Sequence, residues 1–364
     1  MRYSIVIPAF KRSDLITKCL ESIERQIAKP LEVIIVDNNY EEDESKKLKR
    51  LVDKFLSKNL LNLILKKSPK NSGAIARNIG AKSSKGEIVA FLDSDVILDD
   101  NYYSILLEYF DSKKDLIAIQ GIDKALIETE SKLLKKSLFK KLIYYFEQFF
   151  ETSLLLNRKT AYVSPSLAVA HPPIDEDFEV SSQWISTCAG LFKWELFDFY
   201  SFPNQFVTYS NNEYLIFSYN LFLKEKGLML YTNKAKYRDI QTEAGRISRK
   251  ALMYQIQAYD LYIFLRLFRI NPINLLIFIK SRIGHLIYNI GSLILRKNFS
   301  LKDYFHAVFS VIYPFFNFYS IYKGNLDFYE KKFLGKNNNN LWDSDKVWNF
   351  FNYKGIGFIY KTQS

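Results

Sequence analysis

Residues 88–95 read IVAFLDSD, five apolar residues that end in two aspartates one residue apart. A continuous apolar run is typical of a strand that is buried on both faces of a sheet. Asp93 and Asp95 follow where this strand leaves the sheet, at the edge where open α/β folds bind ligands, and in an extended segment both point to the same side. The pair is ordinary turn chemistry as well. It also suits a hard divalent cation, Mg²⁺ or Mn²⁺, which binds through carboxylates and substrate phosphates.

Strand and helix patterns alternate through the first half of the chain. Further apolar strands are predicted at Tyr3–Ile7, Leu31–Val36, Leu61–Leu65 and Leu116–Ile119, with helical patterns between them. Helices are also predicted at Leu133–Leu156 and Leu215–Leu223, and a further strand at Leu228–Thr232. The alternation indicates an α/β fold with a mostly parallel sheet and helices on both faces.

Size and composition bound the class of protein. A chain of 364 residues that is 48% hydrophobic can bury a large core, and we expect a catalytic domain over residues 1–240 and an extension over residues 241–364. Cys19 and Cys188 are too few for a disulfide framework, so a reduced, cytoplasmic setting is expected. The apolar stretch that follows Met1 stops at Pro8, too early for a signal peptide.

Polar motifs follow several of the predicted strands. Pro8-Ala9-Phe10 comes after the first strand, Asp37 ends the second, and Asn71-x-Gly73 with Arg77 opens a helix before the Asp-Ser-Asp strand. Each is weak alone, since Asp37 is equally suited to a turn and Arg77 to a solvated helix face. In this order and spacing they indicate one site at the carboxyl edge of the sheet.

The arrangement resembles the family 2 glycosyltransferases, whose nucleotide-sugar-binding domain has the GT-A fold. The matching segments are residues 4–10, 32–38, 71–78 and 91–95. By this resemblance Pro8, Ala9, Phe10 and Asp37 hold the base of the nucleotide, Asp93 contacts the ribose, and Asp95 binds a metal that bridges the diphosphate. Asn71, Gly73 and Arg77 are expected to contact the substrate, and the metal and Arg77 would offset negative charge on the leaving diphosphate.

Three later positions complete this expected site. Residues 188–193 resemble the family's glycine-containing segment beneath the donor sugar, with Gly190 as its glycine. The family's acidic motif normally carries an Asp as general base, and Glu213 is the carboxylate in the corresponding stretch here. A His near the metal is frequent in the family, but this region reads Tyr237-Arg238-Asp239, which leaves Asp239 as the substitute ligand.

Other classes of protein use some of the same residues. Phosphatases of the haloacid dehalogenase type place Asp-x-Asp after an apolar strand, but that reading leaves the Asn-x-Gly motif and Arg77 unexplained. Sugar nucleotidyltransferases open with a Gly-rich loop, and residues 8–12 contain no glycine. A catalytically degenerate, nucleotide-binding subunit is favoured by the altered acidic motif and disfavoured by the intact Asp93 and Asp95.

The C-terminal third is basic and rich in aromatic residues. Residues 241–364 hold 17 Lys and Arg against 7 Asp and Glu. Residues 273–297 show helical periodicity with one apolar and one polar face, and residues 304–322 carry no charged side chain other than histidine but are interrupted by Pro314. Charges within the first run and the proline in the second favour helices that lie in a membrane interface over residues 273–322. The alternative is a helix packed on the catalytic domain. Nucleic acid is disfavoured, because the basic residues flank broad apolar faces.

Together these features predict an inverting, metal-dependent glycosyltransferase. The resemblance implies a nucleotide-sugar donor, a UDP-sugar first, and a saccharide or lipid-linked oligosaccharide acceptor in the biosynthesis of bacterial surface polysaccharide. The basic extension places the protein at the cytoplasmic face of the inner membrane in this prediction.

Overall fold

The computed structural model describes residues 1–128, 149–150, 161–172, 177–208, 212–240, 247–294 and 301–329. All but residues 149 and 150 of the helix predicted at 133–156 therefore lie outside the described residues.

A single mixed sheet organises the described part of the chain. Its nine strands are β1 (Tyr3–Ala9), β2 (Glu32–Asp37), β3 (Leu63–Lys67), β4 (Ile88–Phe91), β5 (Val96–Leu98), β6 (Leu116–Asp123), β7 (Glu179–Ser181), β8 (Gly190–Lys193) and β9 (Leu228–Asp239). The order is β3-β2-β1-β4-β8-β6-β9-β5, with β7 paired to β9. Strands β3, β2, β1 and β4 are parallel, whereas β8 runs antiparallel to both β4 and β6. The carboxyl ends of β1 and β4 consequently lie at one edge, where a cleft opens.

Helices cover both faces of this sheet. They are α1 (Ser13–Glu24), α2 (Glu42–Leu56), α3 (Gly73–Ser83), α4 (Tyr102–Ser112), α5 (Glu213–Lys224), α6 (Arg249–Leu267), α7 (Pro272–Ile294), α8 (Leu301–Phe316), α9 (Phe318–Lys323) and α10 (Asp327–Tyr329). Alternate residues of β1 enter different cores: Ile5 and Ile7 pack with α1, α2 and α4, while Val6 packs with α3, α5 and α6. This arrangement confirms the predicted α/β, GT-A class of fold with helices added at the C-terminus.

Helix α6 belongs to the second of these cores. Residues 251–264 are buried around the whole circumference of the helix, and they share a core with Val6 and Phe91 of the sheet. Its buried set includes the polar side chains Gln255, Gln257 and Asp260. The first helix of the region predicted as an extension is thus an internal helix of the fold.

Helix α7 packs on the fold through its polar side. Ser281, Arg282 and His285 are 1%, 5% and 7% exposed, whereas Leu276 and Ile283 of the opposite face are 66% and 47% exposed. Helix α8 likewise exposes Phe305, Ile312, Phe315 and Phe316. Among the described residues, no helix is both long and apolar enough to cross a lipid bilayer.

Candidate active site

A cleft lies at the carboxyl edge of β1, β4 and β6. It offers about 230 Å³ of space for water-sized molecules. Its walls are formed by Pro8, Phe10, Arg12, Asn38, Asn71, Gly73, Arg77, Asp93, Ser94, Gln120, Gly121, Asp123, Leu126, Val169, His171, Trp184, Ser186, Thr187, Cys188, Thr208, Glu213, Tyr214, Tyr231, Tyr237 and Asp239. Of the predicted site residues, four are buried and do not line the cleft: Ala9, Asp37, Asp95 and Gly190.

The end of β1 contributes Pro8 and Phe10 to the cleft, while Ala9 between them is buried opposite Asp37 of β2. Lys11 then adopts a left-handed conformation, with φ of 50°, and its N–H donates to Asn39 Oδ1 at 2.8 Å. This turn brings the following residue, Arg12, to the cleft wall.

Asp37 is fixed by its neighbours rather than open to the cleft. Its Oδ1 accepts from the N–H and the side-chain amide of Asn39 at 2.9 and 2.8 Å, and its Oδ2 accepts from Lys67 Nζ at 2.8 Å. Burial alone would raise the pKa of Asp37, but these bonds and one from Ser45 hold that pKa below its ordinary value. Asp37 therefore remains a carboxylate that orders the loop after β2, and the next residue, Asn38, lines the cleft.

Helix α3 begins at the cleft because Ser72 caps it. Ser72 Oγ accepts from Ile75 N–H at 3.2 Å, a standard N-cap, and its own N–H donates to Asn38 Oδ1 at 3.1 Å. Next to it, Asn71 C=O accepts from Thr208 N–H at 2.6 Å. The start of α3 is thus tied to the loop after β2 and to the segment that leads toward α5.

An ion-pair chain crosses the base of the cleft. Arg77 Nη1 bonds Glu213 Oε1, and Arg77 Nη2 bonds Asp93 Oδ1 at 2.8 Å. Burial would lower the pKa of Arg77, but the two carboxylates more than offset this and raise it above the ordinary value. The predicted base and the predicted ribose ligand, 120 residues apart in sequence, are therefore joined by one charged guanidinium.

Gly73 makes room for this chain. A Cβ at Gly73 would lie 2.8 Å from Glu213 Oε1 and 3.0 Å from Arg77 Nη1. Gly190 plays a comparable part in the floor, where a Cβ would lie 2.2 Å from Ser186 C=O. Both glycines are thus required by close approach.

The backbones of Asp95 and Asp239, the two predicted metal ligands, lie side by side. They are brought together because β5 pairs antiparallel with β9, Val96 facing Asp239, and because Ile240 N–H donates to Asp95 C=O at 2.8 Å. Asp95 Oδ2 accepts from Arg12 Nη1 at 2.6 Å, so a cation at Asp95 must share that carboxylate with Arg12. Within the described ranges no cluster of three or more His, Cys, Asp or Glu side chains forms a complete metal site. Two carboxylates completed by substrate phosphates nevertheless match the ligands that Mg²⁺ accepts.

Aromatic side chains form a second part of the cleft wall. His171 Nδ1 lies 2.9 Å from Tyr231 OH, and the rings of His171 and Trp184 are 5.0 Å apart in an edge-on arrangement. Tyr214, directly after Glu213, has its ring 6.0 Å from that of Trp184. Apolar ring surface beside polar groups is the usual lining of a small-molecule site.

Gln120, Ser186 and Cys188 form a polar part of the lining, called here the floor of the cleft. Gln120 of β6 is 2% exposed, and its Oε1 accepts from Ser186 N–H at 2.6 Å. Its Nε2 makes no hydrogen bond in the structure. Cys188 lies alongside, with Sγ 3.9 Å from Asp239 Oδ2 and its C=O accepting from Asp93 N–H at 2.9 Å.

Sequence reasoning did not identify several of these residues. Asn38 directly follows Asp37, and Arg12 lies two residues after Phe10, so their closeness to these motif positions was a usable signal. Gln120, Trp184 and His171 carry no local signal, because single polar or aromatic residues beside a strand are common.

Comparisons with known proteins show which family and which fold the chain resembles. The glycosyl transferase family 2 model matches residues 4–172. Glycosyltransferase GlyG of Streptococcus pneumoniae is 26% identical over 110 residues, which are 30% of this chain and 35% of that protein. GalNAc(5)-diNAcBac-PP-undecaprenol beta-1,3-glucosyltransferase of Campylobacter jejuni is 32% identical over 108 residues, 29% of this chain and 34% of that protein. The matches thus span about a third of the length of these curated relatives.

A solved structure supports the fold over most of the chain. S. aureus TarS 1-349 in complex with UDP-GlcNAc superposes with a TM-score of 0.51 at 17% identity, covering 91% of this chain and 90% of that chain. With the family match, this likeness identifies the architecture as GT-A. Residues 4–172, just under half of the chain, thus match the family 2 glycosyltransferases.

Proposed function

We propose that this protein is an inverting, metal-dependent glycosyltransferase of bacterial surface-polysaccharide biosynthesis. It transfers a sugar from a nucleotide-sugar donor to a saccharide or lipid-linked acceptor. The observation that carries the proposal is the Arg77 ion-pair chain, which unites Asp93 at the end of β4 with Glu213 at the start of α5 inside one cleft.

The donor occupies the side of the cleft next to β1. The nucleotide base packs on apolar side chains and an amide, those of Pro8, Phe10 and Asn38. Asp93 accepts hydrogen bonds from the ribose hydroxyls. UDP is the first candidate, because TarS, which shares the fold, has a solved structure in complex with UDP-GlcNAc. Arg77 is charged and close to the reacting region, where it offsets charge on the leaving diphosphate.

A divalent ion would be held by Asp95 and Asp239. The donor set is carboxylate oxygen, which suits Mg²⁺ or Mn²⁺ completed by diphosphate oxygens. When bound, the ion supplies Lewis-acid neutralisation of the diphosphate. Arg12, paired with Asp95, adds a second positive charge at the same place.

Glu213 acts as general base in this proposal. Inversion needs a group that accepts the proton of the acceptor hydroxyl as its oxygen attacks the anomeric carbon opposite the diphosphate. Glu213 is the carboxylate between Arg77 and the aromatic wall, and the start of α5 favours its negative charge. His171, Trp184 and Tyr214 then form the acceptor side, where ring surfaces pack against a sugar.

The acceptor reaches the cleft at a lipid surface. Helix α7 supports a position at a lipid surface, because it buries its polar side and exposes the apolar side chains of Leu276 and Ile283. The charge balance of residues 241–364, 17 basic against 7 acidic, favours an anionic bilayer. This position agrees with the name of the C. jejuni relative, which includes undecaprenol.

Glu213→Gln tests the function directly. A panel of UDP-, GDP- and dTDP-sugars with Mn²⁺ is first screened for release of the nucleoside diphosphate, and the active donor is used in single-turnover transfer. We expect Glu213→Gln to lower transfer by about 10²-fold or more while donor affinity stays near wild type. Glu225→Gln, at the far end of the same helix and outside the cleft, is the matched control.

Two outcomes contradict the proposal. Transfer by Glu213→Gln at the wild-type rate means that another group is the base. Nucleotide binding by the wild-type protein with no transfer from any donor favours a degenerate binding subunit instead.

A further inference from the structure

The backbone that leads into Glu213 is anchored from outside its own helix. Asn212, the preceding residue, has φ of 61°, a left-handed conformation that Asn tolerates better than most residues. Its side chain makes no capping bond to α5. Instead, Asn212 Nδ2 donates to Asp260 Oδ1 of α6 at 3.0 Å.

Asp260 is itself held by an arginine of α7. Its Oδ2 accepts from Arg282 Nη1 at 2.6 Å, and the two residues are 1% and 5% exposed. Arg282 Nη1 also donates a hydrogen bond to Gln257 Oε1 at 3.3 Å. Replacing a buried ion pair of this kind by apolar residues is often neutral or stabilising. Stability alone is therefore a weak explanation for a charged pair at this position.

Helix α6 also holds the backbone that precedes this point. Gln255 Nε2 donates to Val207 C=O and to Thr208 Oγ1, both at 3.2 Å, and Tyr259 OH accepts from Val207 N–H at 3.3 Å. Thr208 in turn bonds Asn71 at the start of α3. Side chains of the buried helix α6 thus form hydrogen bonds to the chain at residues 207–208 and again at residue 212.

We propose that Asp260 is a positioning residue for the base, acting through Asn212 and oriented by Arg282. The inference rests on the proposed function, in which Glu213 is that base. It assigns α6 and α7 a part in catalysis, although neither helix contributes a residue to the wall of the cleft.

The physical reason is the precision that proton transfer requires. A general base must lie within hydrogen-bond reach of the hydroxyl it deprotonates. A displacement of about 1 Å can lower a rate by about 10²-fold. Because Glu213 follows Asn212 directly, loss of the Asp260 anchor frees the first turn of α5 to move away from Arg77 and the acceptor.

Asn212→Gly isolates this anchor. Glycine adopts positive φ readily, so the turn is kept while the amide is removed. We expect kcat to fall by about 10-fold or more, with affinity for UDP and Mn²⁺ within about twofold of wild type. Asn59→Gly is the matched control, because Asn59 is also left-handed, with φ of 55°, and is exposed in the turn after α2. Wild-type kcat in Asn212→Gly overturns the proposal.

A double-variant cycle separates this inference from the function on which it rests. If Asn212 acts through the base, Asn212→Gly has no further effect in a Glu213→Gln background. Additive losses mean that Asn212 acts elsewhere and overturn the positioning role. Wild-type transfer by Glu213→Gln alone overturns the base assignment itself, a result that the cycle reports independently.

A double variant at Asp260 and Arg282 tests the same anchor without leaving an unpaired charge in the core. Asp260→Leu combined with Arg282→Met replaces the buried pair by apolar side chains and leaves no unpaired buried charge. The expected loss of stability comes from the buried Asn212 amide, which loses its bond to Asp260. The proposal predicts a folded protein with wild-type UDP affinity and low kcat. A folded double variant with wild-type kcat refutes it, and if that variant does not fold, Asn212→Gly still decides.

Discussion

Replacing Gly73 by alanine should lower the rate of sugar transfer while leaving the free energy of unfolding almost unchanged. Gly73 opens α3 and does not have a positive φ, so alanine fits its backbone and should stabilise the fold by about 0.4–1 kcal/mol through the unfolded chain. The new methyl group would lie 2.8 Å from Glu213 Oε1 and 3.0 Å from Arg77 Nη1, whereas ordinary contact begins at 3.4 Å. The ends of these side chains must therefore retreat by about half an ångström, at a cost of about 0.5–1.5 kcal/mol in off-rotamer strain.

The two effects nearly cancel in stability but not in catalysis. We expect the free energy of unfolding in urea to stay within about 1 kcal/mol of wild type. Single-turnover transfer should fall by about 10- to 10²-fold, since a 1 Å misplacement can cost about 10²-fold.

Gly80→Ala, in the same helix, should instead lower stability and leave the activity of the folded protein unchanged. Its Cβ would lie 2.1 Å from Val6 Cγ1 in the core, and overpacking of this kind costs about 1–3 kcal/mol. Its folded fraction should transfer sugar normally. Wild-type transfer by Gly73→Ala would refute the reasoning, and so would a loss of several kcal/mol in its stability.

Three further results are expected. Asp95→Asn should abolish the Mn²⁺ dependence of UDP affinity in calorimetry while the fold is kept; unchanged dependence would exclude this carboxylate as a ligand. The pKa of Asp37 is held below its unfolded value, so its pair with Lys67 stabilises the fold above the unfolded pKa of about 3.9 and is lost as pH falls through the folded pKa. Asp37→Asn should therefore lower stability by about 1 kcal/mol at pH 7, with the deficit disappearing in urea titrations below about pH 4; a pH-independent deficit would contradict this. Ile283→Asn should weaken co-sedimentation with anionic vesicles, because it removes an exposed apolar side chain without adding charge. High salt should also release the wild type, and equal sedimentation of both proteins would count against the lipid surface.

The sequence predicted the parallel half of the fold best. Strands buried on both faces read as continuous apolar runs, so the predicted strands near residues 3, 31, 61 and 88 lie where the structure has β1 to β4. Strand β9 is longer than predicted, Leu228–Asp239 rather than Leu228–Thr232, because Asn233, Lys234 and Lys236 interrupt its apolar pattern.

Helix α6 had no recognisable signal. It is buried on all sides and includes Gln255, Gln257 and Asp260, so its sequence lacks the apolar stripe that marks a surface helix. Helix α7 was found from its period, but the burial of its polar face is set by Asp260, a partner that local sequence does not reveal.

Motifs located the strand ends of the candidate site. They did not predict that Arg77 would join Asp93 to Glu213, because this contact depends on how α3 and α5 pack. The roles assigned to these residues by the family resemblance remain predictions.

The two cysteines allow donor binding to be measured in the unmodified protein by thiol labelling. Cys19 is fully buried, and burial raises the pKa of its thiol, so it resists alkylation. Cys188 is partly exposed on the floor of the cleft. A maleimide should therefore label one thiol, and a donor bound above it should slow that labelling. Mass spectrometry of intact protein would then rank nucleotide sugars by protection, before any acceptor is identified.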